Sequence, residues 1–206
     1  MAAKEIPDII VSRLPIYLRA LQRMLENGIQ STSSQELGEK VGISAAQIRK
    51  DLSQFGEFGK QGTGYFIPFL VDKLKHILHV DRMWEVAVVG MGDIGHAIAR
   101  YQGLNNRGFN VVLLFDHDPA KIGEKVGDLA IRDVKEMVSA IRAEDVKMAM
   151  LAVPAPAAQQ VADKLVEAGV KAILNYAPVS ISLPSHVHLQ YIDPVIGLQR
   201  MSYYLD

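Results

Sequence analysis

Apolar residues in the N-terminal part of the chain recur at intervals of three and four, the spacing of amphipathic helices. The pattern predicts a helix from Val11 to Leu25. Two capping boxes, Ser33-Ser34-Gln35-Glu36 and Ser44-Ala45-Ala46-Gln47, predict the starts of two more helices. The second of these is expected to run from Ala45 to Phe55. Because Gly42 separates the pair, the two helices are expected to form a helix-turn-helix.

A segment rich in glycine follows this pair of helices. Glycines between positions 56 and 64 lead into Tyr65-Phe66-Ile67, a pattern typical of a β-hairpin, or wing. Lys60 and Gln61 are expected near the tip of this wing. A closing helix is expected from Val71 to Leu78, where apolar residues again follow helical spacing.

Near Asp81-Arg82-Met83 the pattern changes to short apolar runs that alternate with helical stretches. This alternation is typical of an α/β domain with a doubly wound parallel sheet. We therefore expect a winged helix-turn-helix domain at 1–82, a Rossmann domain at 83–193 and a separate C-terminal helix within 194–206. The expected strands are Glu85–Val89, Val111–Phe115, Lys147–Val153, Val170–Leu174 and Val187–Ile192, with a helix at Ala157–Ala168.

The first of these strands leads into a glycine-rich loop, Gly90-Met91-Gly92-Asp93-Ile94-Gly95, and then into an expected helix from His96 to Tyr101. In such a loop the first glycine makes the tight turn, the second lets a pyrophosphate approach the backbone, and the third lets the helix pack closely. Asp116 follows the next strand at the spacing of a carboxylate that binds the adenine ribose. These features predict NADH or NAD+ as cofactor rather than NADP, because a carboxylate repels a 2′-phosphate.

The ends of later strands carry candidates for the nicotinamide half of the site. Ligands of such sheets lie beyond the carboxyl ends of the strands, where Val153-Pro154 and Asn175-Tyr176-Ala177-Pro178 are expected. None of the six histidines lies where a nicotinamide ring is expected, and no separate substrate domain fits, so we expect no catalytic residue and no enzyme. Two alternatives stay open: a small NAD-dependent oxidoreductase with an accessory helical domain, and a module that binds CoA or another nucleotide.

The amino-acid composition excludes several kinds of site and several cellular locations. The chain contains no cysteine, which removes disulfides and most structural zinc sites, and we expect no metal site. No apolar run is long enough to span a membrane and no signal peptide is recognisable, so the cytoplasm is the expected location. A net charge of −1 argues against a uniformly basic coat. Any contact with nucleic acid must therefore come from a local surface.

The third helix offers that local surface, because its polar side chains can reach phosphates and base edges. Asp51 counts against this interpretation, since a carboxylate on the same helix is expected to repel phosphate. The residues expected to contact double-stranded DNA are Ser44, Ala46, Gln47, Arg49, Lys50, Ser53 and Gln54 on and around this helix, with Lys60 and Gln61 on the wing.

Several longer stretches carry a family resemblance. They are SRLPIYLR (12–19), TSSQELGE (32–39), IRKDLSQFGEFGKQGTGY (48–65), VVGMGDIGHAIARY (88–101), FDHDP (115–119), AVPA (152–155), ILNYAPV (173–179) and GLQRMSYYL (197–205). In this order they resemble the bacterial redox-sensing transcriptional repressors of the Rex family over nearly the whole chain.

The resemblance implies a homodimeric repressor that binds operator DNA when NADH is low and leaves it when NADH binds. Its targets would be genes of respiration and of fermentative NADH reoxidation. The resemblance also implies that a C-terminal helix, here Val195 to Tyr204, is exchanged between subunits. The apolar residues of that helix would have no partner in a monomer of this size. Arg19, Tyr101 and Asp193 match a family trio that couples the nicotinamide pocket to the DNA-binding domain.

Two segments depart from what the family commonly carries: the glycine loop at Asp93 and the wing at Lys60-Gln61. Both lie at sites expected to set affinity for cofactor or operator. The residues expected to bind the cofactor are Gly90, Met91, Gly92, Asp93, Ile94, Gly95, Tyr101, Asp116, Val153, Pro154, Asn175, Ala177 and Pro178.

Overall fold

The computed structural model describes residues 6–58 and 64–205. The chain divides into two compact units, Met1–Arg82 and Met83–Asp206. Within the described ranges, no helix is long and apolar enough to cross a membrane.

The first unit consists of short helices and a pair of two-residue strands around an apolar core. Leu14, Leu21, Leu37, Ile48 and Leu70 are fully buried in that core. The elements are α1 (Asp8–Val11), α2 (Leu14–Glu26), β1 (Ser31–Thr32), α3 (Ser34–Val41), α4 (Ala45–Leu52), β2 (Tyr65–Phe66) and α5 (Ile67–Ile77).

Local sequence explains most helix starts in this unit. The helix expected from Val11 begins at Leu14 instead, with Pro15 in its first turn, where a missing N–H group costs nothing. The expected capping box of α3 is complete: the Glu36 N–H donates to Ser33 Oγ at 3.1 Å, and the Ser33 N–H donates to the Glu36 carboxylate at 2.7 Å. The box expected for α4 is incomplete. The Ser44 hydroxyl accepts the Gln47 N–H, but the side chain of Gln47 donates to Asp51 instead of accepting the Ser44 N–H.

The turn between α3 and α4 is tight. Gly42 ends α3 in the left-handed conformation with φ of 71°. At Gly38 a Cβ would overlap the carbonyl oxygen of Ile43, so the two helices approach more closely than any larger residue allows. This close approach confirms the helix-turn-helix expected from the sequence.

The strand and the helix that follow the glycine-rich segment are both described. Tyr65–Phe66 pairs antiparallel with Ser31–Thr32, which precedes α3. Residues 59–63 of the expected wing, Lys60 and Gln61 among them, lie outside the described residues. Helix α5 begins at Ile67, four residues before the expected start, and again carries a proline in its first turn.

The second unit is a doubly wound α/β sheet with the strand order β5-β6-β4-β3-β7-β8-β9. All neighbours pair in parallel except β5, which is antiparallel to β6. The expected Rossmann topology is confirmed, with its two halves meeting between β3 and β7. The elements are β3 (Trp84–Val89), α6 (Asp93–Arg100), β4 (Phe109–Asp116), β5 (Lys125–Val126), β6 (Leu129–Asp133), α7 (Met137–Ala143), β7 (Met148–Leu151), α8 (Ala155–Ala168), β8 (Ala172–Asn175), β9 (His188–Tyr191) and α9 (Pro194–Ser202).

Helices cover both faces of this sheet. Because alternate residues of a strand face opposite sides, Ala87 and Val89 lie in a core shared with α7 and α8. Val88 and Leu114 lie in a second core, against which Ile98 of α6 packs. Both α6 and α8 begin earlier than expected, at Asp93 and Ala155, so the second half of the glycine loop is the first turn of α6.

Candidate functional site

The glycine loop after β3 is shaped by close backbone contacts. Gly90 has φ of 96°, a conformation that favours glycine. A Cβ at Gly90 would overlap the carbonyl oxygen of Ala152 after β7, and a Cβ at Gly95 would overlap the carbonyl oxygen of Gly90. Gly92 is different, because nothing lies within 4 Å of the position its Cβ would take. The loop is therefore closed at Gly90 and Gly95 and open at Gly92.

The open side of the loop faces a cavity of about 650 Å³ at the carboxyl ends of the strands. Its volume is typical of a site for a cofactor or small ligand. No side chain caps the first turn of α6, so the N–H groups of that turn remain available to an anion. Among the residues expected to bind cofactor, those that line the cavity are Gly90, Gly92, Asp93, Ile94, Asp116, Val153, Pro154 and Pro178.

The remaining expected cofactor residues do not line this cavity. Met91 is fully buried, Gly95 packs on the loop itself, and Tyr101 lies at the far end of α6. Tyr176, which was expected near the nicotinamide half, does line the cavity. The sequence interpretation also missed several lining residues, among them Lys121, whose ammonium group lies 3.5 Å from the carboxylate of Asp116. The missed residues that line the cavity include His117, Lys121, Val134, Pro156, Gln160 and Lys164.

Asn175 and Ala177 are corrected from direct lining to support of the wall. Asn175 is 1% exposed, and its Oδ1 accepts the Ala177 N–H at 2.9 Å while its Nδ2 donates to the carbonyl oxygen of Val179 at 3.1 Å. These bonds fix the turn after β8. This turn places Tyr176 and Pro178 on the cavity wall.

Asp116 is bound mainly by backbone groups, which the sequence could not reveal. It is 4% exposed and accepts N–H bonds from Met91 at 2.7 Å, His117 at 2.7 Å and Asp118 at 2.9 Å. Burial alone would raise the pKa of this carboxyl, but the N–H donors and the Lys121 ammonium 3.5 Å away hold its pKa below the usual range. A ribose hydroxyl would share this ionised group with those internal donors.

The exposed face of the helix-turn-helix carries cations and small polar side chains. Arg49 and Lys50 of α4 are exposed, as are Ser44 and Ala46 at its N-terminal end. Arg49 Nη1 donates to the Ser34 hydroxyl at 2.8 Å, a bond exposed to solvent. Because α4 ends at Leu52 and not at Phe55, the expected contact residues Ser53 and Gln54 lie in the turn that follows the helix.

The expectation that Asp51 repels phosphate is wrong, because its side chain faces inward and is completely buried. Arg13 donates to it twice, from Nε at 2.6 Å and from Nη2 at 2.8 Å. The Tyr17 hydroxyl donates at 2.7 Å and Gln47 Nε2 at 2.6 Å. Burial would raise the pKa of this carboxyl, but the bonds from Arg13, Tyr17 and Gln47 hold it below its ordinary value.

Two family models match the chain in the order of its two units. One described as "Putative DNA-binding protein N-terminus" matches residues 5–53, and one described as "CoA binding domain" matches residues 81–179. Proteins named redox-sensing transcriptional repressor Rex, from Chloroflexus aurantiacus and Pelotomaculum thermopropionicum, are 54% and 42% identical to the chain. These matches cover 97% and 100% of the chain and 94% and 96% of the relatives. The chain belongs to the Rex family.

Solved structures of RSP, a Rex-family repressor, share the fold. The structure of RSP itself matches with a TM-score of 0.90 at 35% identity, covering 98% of this chain and 94% of that one. RSP in complex with β-NAD+ and operator DNA matches with a TM-score of 0.93 at 37% identity, over 98% and 93%. RSP in complex with β-NADH matches with a TM-score of 0.89 at 35% identity, over 97% and 94%.

The trio that the Rex resemblance singles out is divided between the two units. Arg19 is exposed on α2 of the first unit. Tyr101 is 54% exposed in the second unit, where its hydroxyl accepts a bond from Arg107 Nη1 at 2.8 Å. Asp193 caps α9 by accepting the Val195 N–H at 2.9 Å. The coupling role of these residues stays a proposal.

The C-terminal helix of this Rex-family chain leaves its apolar side chains exposed. Helix α9 contributes no buried residue, and Leu198 and Met201 are each 63% exposed. Exposed apolar surface of this kind marks an interaction site.

The open and closed positions of the glycine loop predict different effects of one added methyl group. Gly95→Ala should lower the free energy of unfolding by about 2 kcal/mol, because its methyl group overlaps backbone. Gly92→Ala should cost less than about 1 kcal/mol and should weaken NADH binding at least tenfold, because its methyl group occupies the approach to the loop. Urea unfolding and NADH fluorescence measure the two effects. A Gly92→Ala variant with unchanged NADH affinity would show that the dinucleotide does not cross the loop there.

The lowered pKa of Asp51 predicts acid sensitivity of the first unit. Because the folded-state pKa lies below the unfolded one, the stabilisation is present above the ordinary carboxyl range and is lost as pH falls through the folded pKa. Asp51→Asn should destabilise the first unit by about 3 kcal/mol at neutral pH and flatten its acid dependence. Hydrogen exchange of the α4 amides measures both, with the exposed Asp72→Asn as the control. Equal acid dependence in wild type and Asp51→Asn would refute this role.

Proposed function

We propose that the protein is a homodimeric transcriptional repressor that binds operator DNA when NADH is scarce and releases it when NADH binds. The observation that carries this proposal is the joining of a helix-turn-helix and a glycine-loop cavity in one chain. Membership of the Rex family supports it, since RSP has been crystallised with β-NADH and with both β-NAD+ and operator DNA.

In the proposed DNA complex, α4 enters the major groove of each half-site. Its exposed residues Ser44, Ala46, Arg49 and Lys50 are proposed to face DNA, with Ser53 and Gln54 of the following turn nearby. The proposal extends to Lys60 and Gln61, which lie outside the described residues. Arg49 can leave its bond to Ser34 at little cost, because that bond is exposed to solvent.

In the proposed cofactor complex, the pyrophosphate of NADH or NAD+ lies at Gly92 and the uncapped first turn of α6. The adenosine end extends toward Asp116, with Lys121 and His117 beside it. The nicotinamide end extends toward Val153, Pro154 and the turn at Pro178. Asp93 places a negative charge in the first turn of α6. This charge interacts favourably with the helix dipole and repels a nearby phosphate.

Release of DNA requires that NADH bind the two states of the dimer with different affinity. NADH and NAD+ differ in the charge and planarity of the nicotinamide ring. Arg19, Tyr101 and Asp193 are proposed to report this difference to the DNA-binding domain by exchanging hydrogen bonds. The present bonds of Tyr101 to Arg107 and of Asp193 to the start of α9 would then compete with those of the switched state.

The proposed dimer uses α9 as an exchanged element. Its exposed apolar side chains, Leu198 and Met201 among them, would pack against the partner's cofactor domain. The closed twofold symmetry of such a dimer would present two recognition helices to a palindromic operator.

A second candidate function is the binding of CoA, favoured by the CoA-binding family model matched by residues 81–179. NADH and CoA both carry an adenosine unit and a pyrophosphate, so the glycine loop suits either. CoA also carries a 3′-phosphate on its ribose, which the carboxylate of Asp116 would repel. Catalysis is the less favoured reading, because His117, the histidine on the cavity wall, lies beside Asp116 and away from the proposed nicotinamide end.

The decisive test uses a duplex selected by the protein from random DNA in the presence of NAD+. NADH should lower affinity for this duplex by at least tenfold, whereas NAD+ and CoA should not, as measured by fluorescence anisotropy. Unchanged affinity with saturating NADH would contradict the sensor function, and release by CoA alone would favour the second candidate. Turnover of NADH with a small carbonyl substrate would favour an enzyme.

The proposed role of α9 predicts that its apolar face controls oligomeric state. Leu198→Asp should convert the dimer to a monomer, because a charge would be buried without a partner in the interface. Gln199→Asp, which adds the same charge at the neighbouring polar position, should remain dimeric. Light scattering after size exclusion separates these outcomes. A stable Leu198→Asp dimer would show that α9 does not form the interface.

A further inference from the structure

Both oxygens of the Asp51 carboxylate accept hydrogen bonds from donors within the protein. Oδ1 accepts from Arg13 Nη2 and Gln47 Nε2, and Oδ2 accepts from Arg13 Nε and the Tyr17 hydroxyl, at distances of 2.6 to 2.8 Å. The side chain has no exposed surface. Every lone pair of the carboxylate therefore faces a donor, and none is left for a ligand.

These bonds fix the rotation of α4 about its own axis. Arg13 is the residue before α2 and Tyr17 lies within α2, so the cluster connects the two helices directly. A bidentate guanidinium–carboxylate pair is planar and constrains direction as well as distance. Arg49, two residues before Asp51, lies on the exposed face. The angle at which the exposed face of α4 is presented thus depends on a contact on its buried face.

Gln47 belongs to this buried contact. To recognise adenine, a glutamine must present both its carbonyl oxygen and its amino group to the base edge. Here the Gln47 amino group donates to a carboxylate, and a bond to a charged acceptor is stronger than one between neutral groups. Turning Gln47 toward DNA would leave a buried carboxylate oxygen with one donor fewer. The expectation from sequence that Gln47 contacts DNA conflicts with this geometry.

We infer that Gln47, Asp51 and Arg13 are positioning residues that set the presentation of α4, and that Gln47 itself reads no base. Discrimination between base pairs then falls to the exposed side chains of α4, Arg49 and Lys50 foremost. This inference rests on the proposed DNA-binding function. It also gives the buried ion pair a purpose beyond stability, since apolar residues alone can stabilise a helix contact equally well.

The first experiment separates a positioning residue from a base reader. Affinities are measured for the selected duplex and for each of its single-base-pair variants. Gln47→Ala should weaken binding to all duplexes by a similar factor and preserve their ranking. Arg49→Ala, the matched variant on the exposed face, should lose discrimination at particular base pairs by about tenfold. A loss of tenfold discrimination at one base pair in Gln47→Ala would overturn the assignment of Gln47.

The second experiment tests the role of the ion pair with a variant that keeps its charge. Arg13→Lys retains a cation but not the two parallel bonds, so the fold should survive while the angle of α4 relaxes. Operator affinity should fall about tenfold relative to affinity for random-sequence DNA, with the α4 amides still protected from hydrogen exchange as a check that the first unit is folded. Unchanged operator affinity, or equal loss on both DNAs, would overturn the positioning role. Failure of the wild-type protein to select any duplex would instead refute the DNA-binding function on which the inference rests.

Discussion

The hydrogen bond from the Met91 N–H group to Asp116 is the interaction on which the cavity of the second unit depends. It connects the loop after β3 to the end of β4 at 2.7 Å, in a place where both partners are buried. A buried N–H group without an acceptor would be costly, so this bond fixes the direction in which the loop leaves the sheet. The close approach of Gly90 to Ala152 then fixes the other side of the loop and leaves Gly92 as its open edge.

In both proposed sites a buried carboxylate holds in place the loop or helix that faces the ligand, and it binds that element on the side away from the ligand. Asp116 was expected to bind a ribose and Asp51 to repel a phosphate. Each of these carboxylates instead accepts most of its hydrogen bonds from donors within the protein. A buried charge must be paired or fully hydrogen-bonded, and here that requirement shapes the neighbouring element. In one case the element is the glycine loop, and in the other it is the helix proposed to enter DNA.

Features with a local cause could be predicted from the sequence. The capping box at Ser33 and the glycine loop at Gly90 depend on residues a few positions apart, and both were found. The segment from β5 to α7 was missed because strands of two and five residues and a helix of seven carry too little periodicity. The inward position of Asp51 had a signal that was overlooked: it lies three residues after the buried Ile48, on the same helical face. Its partner Arg13 is 38 residues away in sequence, and no local pattern connects them.

In the proposed repressor, the binding of cofactor and the binding of DNA are coupled, and coupling of this kind is reciprocal. The most direct measurement is therefore the NADH dissociation constant of the dimer, determined by calorimetry with and without saturating operator duplex. Operator should weaken NADH binding by the same factor by which NADH weakens operator binding. An NADH affinity that is identical in the presence and absence of operator would show that the two binding events are not coupled.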